Sequence, residues 1–444
     1  MKTIGMILTA AALAAPMLPA GAMSLPRDHA ISIEAHMNCP VMPARGGRAY
    51  LQVAVNVPAI GERDRRPLNL CVVLDRSGSM GDEGKIMNAR AALRAMIARL
   101  APGDVFSLVI YDDVVDVLRA AAPVRNTDEL CGLVEGITPR GFTNLGGGMI
   151  EGFRQVERYA GRGYVNRVVL LSDGLANRGI TDPRELGRVA CSHREGGISL
   201  STMGVGLQYN ENLMMALAGE GGGNYYFIER SGDLASILRR EFDIMACVVA
   251  QNAVLSLDLS RGVCVSDVVG GTFTVSGDRV TIPVGDLTSG ERREFTVELE
   301  LPAGEGKRRI VSGSLRFDRV GELAFRGGTF AASVRYSEDV AEIDRNRDMK
   351  AQAEADVAVS TRNVDRAMDA LDAGNGAAAA AEFSAATKAL AASPAMNQPG
   401  AKEVLRVQME RLQSFEQEVG DTAKDRRMVK KSIQYRNYNV QRQK

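Results

Sequence analysis

The chain has 444 residues, more than one ordinary core organises at roughly 100–200 residues per domain, so about two to four folding units are expected. Its 54 Lys and Arg balance its 54 Asp and Glu, which leaves no electrostatic footprint for nucleic acid or an anionic membrane surface. Trp is absent and aromatics make up 5%, too few for a sugar platform or a single-strand binder built on stacked rings.

The amino terminus reads as a secretory signal peptide over residues 1–22: Lys2, an apolar run from Ile4 to Leu18, then Ala20-Gly21-Ala22 as a cleavage site. The run contains Pro16 and is shorter than the roughly 20 residues that a spanning helix needs, so cleavage and export are expected, with no integral membrane segment afterwards. The style of the signal suggests a bacterial envelope, and the mature protein is expected in the periplasm or secreted. Export permits disulfides among Cys39, Cys71, Cys131, Cys191, Cys247 and Cys264, but the spacing selects no pairing. No Cys-x-x-Cys occurs, and Cys71 opens an apolar strand, where it reads as a buried free thiol.

Residues 23–67 hold short alternating runs (AISIEAH, YLQVAVNV) that read as strands of a β unit. From Leu68 to Cys247 the pattern changes to apolar strands alternating with helices: LNLCVVLD, KIMNARAALRAMIARL, DVFSLVIYD, VVDVLRA, then NRVVLLSD and further pairs. Continuous apolar strands alternating with helices indicate a doubly wound, mainly parallel α/β sheet covered on both faces. Residues 248–337 return to alternating strands with Gly-rich turns, so the simplest architecture inserts the α/β domain into one β-sandwich. Residues 338–444 are Ala-rich and amphipathic. Stripes such as Val357, Val364, Met368 and Leu371, with breaks at Gly374–Gly376 and Pro394–Gly400, predict three or four helices.

Chemistry concentrates in three loops. Asp75-Arg76-Ser77-Gly78-Ser79-Met80 follows a buried strand, and ligands of open α/β sheets collect at the carboxyl ends of strands. A carboxylate and two hydroxyls at alternate positions of a tight turn can converge on one small hard cation. Gly141-Phe142-Thr143-Asn144 precedes a helix, and Ser172-Asp173-Gly174 ends a second apolar strand at the same edge. In this order, DRSGSM, GFTNLGGG and LLSDGLANRG resemble the three loops of the metal-ion-dependent adhesion site of von Willebrand factor type A domains.

That resemblance covers Leu68 to Cys247 and implies a six-stranded doubly wound sheet with a short antiparallel edge strand at VVDVLRA. It implies Ser77, Ser79 and Thr143 as hydroxyl ligands, with Asp75 and Asp173 acting directly or through water, and none of the five positions departs from the pattern. The implied cofactor is Mg2+, with Mn2+ or Ca2+ as alternatives. The implied partner is a protein offering an acidic side chain to the metal in adhesion or assembly. The segments VNRVVLLSDGLANRGITD and MGVGLQYNENLMMALAGEGGGNYYFIE also resemble exported bacterial proteins in which a β-sandwich wraps this domain.

No enzyme is expected. A magnesium-dependent hydrolase with Asp75 as nucleophile usually wants a second carboxylate two residues on, where this chain has Ser77, and a Lys, which the three loops lack. No His-Glu-x-x-His occurs. A scaffold with a vestigial metal site stands as an alternative to metal-dependent binding, and ordinary helix capping by Asp75, Ser77 and Ser79 as the bland one. Arg76, Met80, Phe142, Asn144 and Arg178 are expected to set specificity. Asp112, Asp113 and Asp116 read as a solvated hairpin, His193 as a surface residue, Gly221–Gly223 as a flexible turn, and Arg239-Arg240 and Lys430-Lys431 as charged faces.

Overall fold

In a computed structural model, which describes residues 31–59, 65–161, 163–319, 322–421 and 423–442, the chain builds three sheets and a helical region. The expected signal peptide lies outside the described residues. Strands β1 (Ser32–Met37), β2 (Val41–Pro43) and β3 (Gly47–Asn56) come first. The α/β part begins with β4 (Leu68–Asp75), α1 (Lys85–Ile97), β5 (Val105–Tyr111), β6 (Val115–Pro123), α2 (Thr127–Glu135) and α3 (Leu145–Glu157). It continues with β7 (Val165–Ser172), α4 (Pro183–Glu195), β8 (Ser199–Val205), α5 (Glu211–Glu220), β9 (Gly222–Ile228) and α6 (Leu234–Ala246). Seven strands follow: β10 (Val248–Leu259), β11 (Cys264–Val269), β12 (Thr274–Ser276), β13 (Arg279–Thr288), β14 (Arg292–Leu301), β15 (Lys307–Arg319) and β16 (Glu322–Ser337). Helices α7 (Val340–Arg345), α8 (Met349–Asp372), α9 (Gly376–Ala391), α10 (Pro399–Gly420) and α11 (Arg426–Gln441) close the described chain.

The α/β sheet has the order β6-β5-β4-β7-β8-β9 and is parallel except for β6, which runs antiparallel to β5 at one edge. Its strands are apolar throughout because both faces are covered. Leu68, Leu70, Val72 and Leu74 of β4 pack with residues of α1, α2 and α6, whereas Cys71 and Val73 pack on the other face with α3, α4 and α5. The chain leaves β4 toward β5 and later returns to β7 on the opposite side, so a topological switch point, the usual site for a ligand crevice, lies at the carboxyl end of β4.

Glycine in α3 lets that helix lie close against the sheet. A Cβ at Gly152 would lie 2.4 Å from a methyl of Val73 and 3.2 Å from one of Val168. Gly152→Ala is therefore expected to destabilise the fold by about 1–3 kcal/mol, the range for overpacking. Urea denaturation measures it, and an unchanged midpoint would mean that α3 can stand off from the sheet.

The other two sheets, β1-β3-β14-β11 and β12-β13-β10-β15-β16-β2, share one apolar core. Strand β3 precedes the α/β sheet in the chain yet lies between β1 and β14, with Val53 opposite Phe295. Strands β11 and β12 are short, and all three residues of β12 are exposed, so the alternation that marks a half-buried strand is faint there.

Among the described residues the terminal region has five α-helices rather than three or four, because the short α7 precedes the first stripe and the last segment is split between α10 and α11. Helix α8 is held on the sandwich by Asn38 Nδ2 donating to Gln352 Oε1 (2.9 Å) and by Arg362 pairing with Glu298 and Asp267 (both 2.6 Å). Helix α11 docks on the α/β sheet, where Tyr225 N–H donates to Tyr438 Oη (3.2 Å). No helix among the described residues is long and apolar enough to cross a membrane. All six cysteines are free thiols, and burial pushes the Cys71 thiol up to about 12, which makes it inert. Gly221–Gly223 is no flexible turn: it enters β9, and a Cβ at Gly223 would lie 2.2 Å from the carbonyl oxygen of Leu200.

Candidate metal centre

Residues Asp75 and Asp173 sit where β4 and β7 end side by side, both fully buried. Neighbouring groups aim the Asp75 carboxylate. Its Oδ1 accepts from Ser77 N–H (2.8 Å), and its Oδ2 accepts from Ser172 Oγ (2.7 Å) and Tyr111 Oη (3.4 Å). Burial pushes the Asp75 carboxyl up to about 6; hydrogen bonds from Ser77 and Ser172 oppose the rise, and the Asp173 charge adds to it.

The hydroxyls gather beside these carboxylates. Ser77 Oγ and Ser79 Oγ lie 3.2 Å apart, and Ser79 Oγ donates to Asp173 Oδ1 (2.8 Å). Thr143 comes from the loop before α3, pinned by Gly78 N–H on Gly141 O (3.1 Å) and Arg140 N–H on Arg76 O (2.8 Å). Its own N–H donates to Asn177 Oδ1 (2.9 Å). A Cβ built on Gly174 would be 3.2 Å from Thr143 Oγ1 and 3.7 Å from Ser79 Oγ, so the two hydroxyls share that corner. The structure thus brings Asp75, Ser77, Ser79, Thr143 and Asp173 together from three loops.

The donor set fits a small hard cation. No cluster of three or more His, Cys, Asp or Glu side chains stands at ligand spacing among the described residues, so hydroxyl oxygens must supply part of any shell. Oxygen-only donors with room for water suit magnesium better than zinc.

Sequence reasoning missed Lys85. This first residue of α1 is buried, and its Nζ pairs with Asp173 Oδ2 at 2.8 Å, leaving Oδ1 to Ser79. A signal existed: a cation in the first turn of a helix opposes the helix dipole, a cost of about 0.3–1 kcal/mol that invites a carboxylate partner.

Several expectations about the rim need correction. Arg76 is buried and pairs with Asp112 (2.8 Å) and with Asp116. Met80 belongs to the core, and Asn144 caps α3 by accepting from Gly147 N–H. Of the five residues expected to set specificity, Phe142 and Arg178 are exposed, and the Arg178 guanidinium carbon lies 4.7 Å from the Phe142 ring centre. Asp112 is no solvated hairpin residue, being buried under Arg76 and Arg140. Burial would raise its carboxyl, but the Arg140 hydrogen bond and neighbouring donors hold it below the ordinary range. His193 is half-buried, stacked on Phe153 at 4.0 Å between ring centres.

Lys430 and Lys431 form no plain charged face. Lys431 is buried, with Nζ donating to Tyr209 O (2.7 Å) and pairing with Glu211; Lys430 pairs with Glu211 (2.6 Å) and Asp372 (2.5 Å). They form one wall of a cleft of about 670 Å³ whose opposite wall is Ser77, Ser79 and Thr143. A break more than two hundred residues long separates the two walls in sequence, so no local pattern could join them.

Comparison with known proteins agrees with the α/β fold. The family model described as von Willebrand factor type A domain matches residues 69–240. The chain is 26% identical over 238 residues to the YfbK protein of Escherichia coli (strain K12), covering 53% of this chain and 41% of that one. It is 29% identical over 211 residues to the sll0103 protein of Synechocystis sp. (strain ATCC 27184 / PCC 6803 / Kazusa), covering 47% of this chain and 49% of that one. The matched region thus spans less than half the length of either curated relative. Among solved structures, a von Willebrand factor type A protein from Catenulispora acidiphila shares the fold with a TM-score of 0.68 at 17% identity, over 87% of this chain and 90% of that one.

Proposed function

Since residues 69–240 form a von Willebrand factor type A domain, we propose that this chain is a metal-dependent protein-binding module of the bacterial cell envelope and not an enzyme. The observation that carries the reading is the convergence of Asp75, Ser77, Ser79, Thr143 and Asp173 at the switch point of the sheet. Bound there, a divalent cation, magnesium with manganese or calcium as alternatives, would supply a Lewis-acid contact for an acidic side chain of the partner. Asp75 and Asp173 bring two negative charges, and Lys85 returns one positive, so a divalent ion leaves an excess of positive charge that favours an anionic partner group. Ser77 occupies the place where a hydrolase of the Asp-nucleophile type needs its acid, and Lys85 is committed to Asp173. Export rests on the amino-terminal segment, with action in the periplasm or outside the cell.

A second reading has one observation in its favour. Lys85 already neutralises Asp173, as a cation would, so the domain can be a scaffold with a vestigial site. Calorimetric titration of the full chain with magnesium separates the two. Binding is expected at pH 7.5 and should weaken by up to about tenfold per pH unit below the raised Asp75 value of about 6, because a proton then competes for the carboxylate. Without metal the sign is opposite for stability. Folding favours protonated Asp75, a contribution fully present below the ordinary value of 3.8 and lost as pH rises through about 6. No heat at any pH would establish the scaffold; binding indifferent to pH would remove Asp75 from the ligand set.

A further inference from the structure

Resting on that reading, we infer that the partner is gripped at a second point by α11: the cleft between the metal loops and that helix takes an extended segment bearing two acidic side chains with an apolar residue beside the first. The cleft is continuous from Ser77, Ser79 and Thr143 to Arg427, Lys430 and Lys431. At about 670 Å³ it lies in the range of pockets that enclose a ligand of a few residues, too narrow for a domain surface.

Charge selects the occupant. Three cations of α11 face two carboxylates, Glu211 and Asp372, so this wall keeps a positive excess after its internal ion pairs are formed. Lys430 and Lys431 are tied down by those pairs and shape the wall, whereas Arg427 is exposed and able to reach an incoming acid. The first carboxylate goes to the metal loops and the second to Arg427.

Apolar surface selects its neighbour. Phe142 and Leu175 line the mouth of the cleft at the metal end, 53% and 55% exposed. Arg178 lies over the Phe142 ring and approaches Asp113 at 3.8 Å, which places a cation beside this apolar rim. Large apolar side chains held open beside a polar cleft fit an aliphatic residue adjacent to the metal-directed acid. A free phosphate or an isolated carboxylate would leave this rim unused.

The test uses the full chain and fluorescein-labelled peptides in anisotropy titrations. A parent peptide carries Leu-Asp among glycines, and a series adds one Glu about two to five residues away on either side, a reach of about 7–17 Å in extended chain. In magnesium, one member of the series should bind about fivefold tighter than the parent peptide. Arg427→Glu should erase that gain, Arg427→Lys should keep most of it, and neither should change magnesium affinity by calorimetry or binding of the parent peptide. An undiminished gain in Arg427→Glu overturns the inference. So does a series in which no member exceeds the parent peptide, or in which nothing binds at millimolar peptide while magnesium still does; both leave the metal reading intact. Peptide binding untouched by chelator and by Asp75→Asn would instead sink the metal reading, and the Arg427 comparison alone would then decide the groove.

Discussion

Asp75→Asn is expected to abolish measurable magnesium binding, by about 100-fold or more, while making the metal-free protein more stable at pH 8. Both effects have one cause. The carboxylate is fully buried, and burial pushes its pKa from 3.8 up to about 6, so at pH 8 the folded chain carries a charge that its surroundings disfavour. A rise of that size corresponds to about 3 kcal/mol of penalty that the neutral amide escapes. Asn can still accept from Ser77 N–H, so the turn keeps its hydrogen bond, but the amide nitrogen faces two former donors, Ser172 Oγ and Tyr111 Oη, which reduces the gain to about 1–2 kcal/mol. Loss of a direct or water-bridged anionic ligand removes the charge that holds a hard cation. Urea denaturation in chelator and magnesium calorimetry on the same sample provide the two readings. A variant that binds magnesium normally would detach Asp75 from the site, and one that unfolds would make its charge structural. Thr143→Ala offers the contrast, since it deletes a neutral hydroxyl from a separate loop and leaves both carboxylates.

Arg167→Met should be the most destabilising single change, at about 3–5 kcal/mol. Arg167 lies in β7, 2% exposed, and its guanidinium binds Glu241 of α6 (2.9 Å), Ser201 of β8 (2.6 Å) and Asp286 of β13 (2.7 Å). Asp286 belongs to the sandwich, so this ion network fastens the sandwich to the end of the α/β sheet away from the metal loops. Methionine fills much of the volume but leaves two carboxylates buried without their cation. Burial already raises the Asp286 carboxyl with Arg167 present, and without the guanidinium it should rise further. The loss should accordingly be smaller at pH 5 than at pH 8, because a raised carboxyl favours the fold at low pH and the benefit disappears as pH climbs through its folded value. Pairing Arg167→Met with Asp286→Leu should recover part of the stability, as apolar replacement of a whole buried ion pair often does. Denaturation midpoints at the two pH values measure this. A cost below about 1 kcal/mol at pH 8 would mean that water reaches the network.

Such residues mark the boundary between what is local and what is not. Apolar runs such as LNLCVVLD and NRVVLLSD determine buried parallel strands, because a strand covered on both faces needs a hydrophobe at nearly every position. Where each run stops, the first polar residues, Asp75 and Asp173, emerge at one edge of the sheet, so their proximity follows from strand length and direction. Asn144 reads along the chain as a specificity residue beside Thr143, yet its side chain caps α3, and the close packing of the α3 glycines likewise emerges only once the helix lies on the sheet. The partners of charged side chains are not local either. Lys85 with Asp173, Arg76 with Asp112, Arg167 with Asp286, and Lys431 with Glu211 join positions from 36 to 220 residues apart. A lone Lys or Arg reads as a solvated face because that is the cheapest state of a charge in water; burial becomes tolerable only after the fold has delivered an opposite charge to hydrogen-bonding distance. That α11 would return to form the wall opposite the metal loops was therefore decided by tertiary packing, through Tyr438 against Tyr225 and Lys431 against Tyr209, and not by any pattern along the chain.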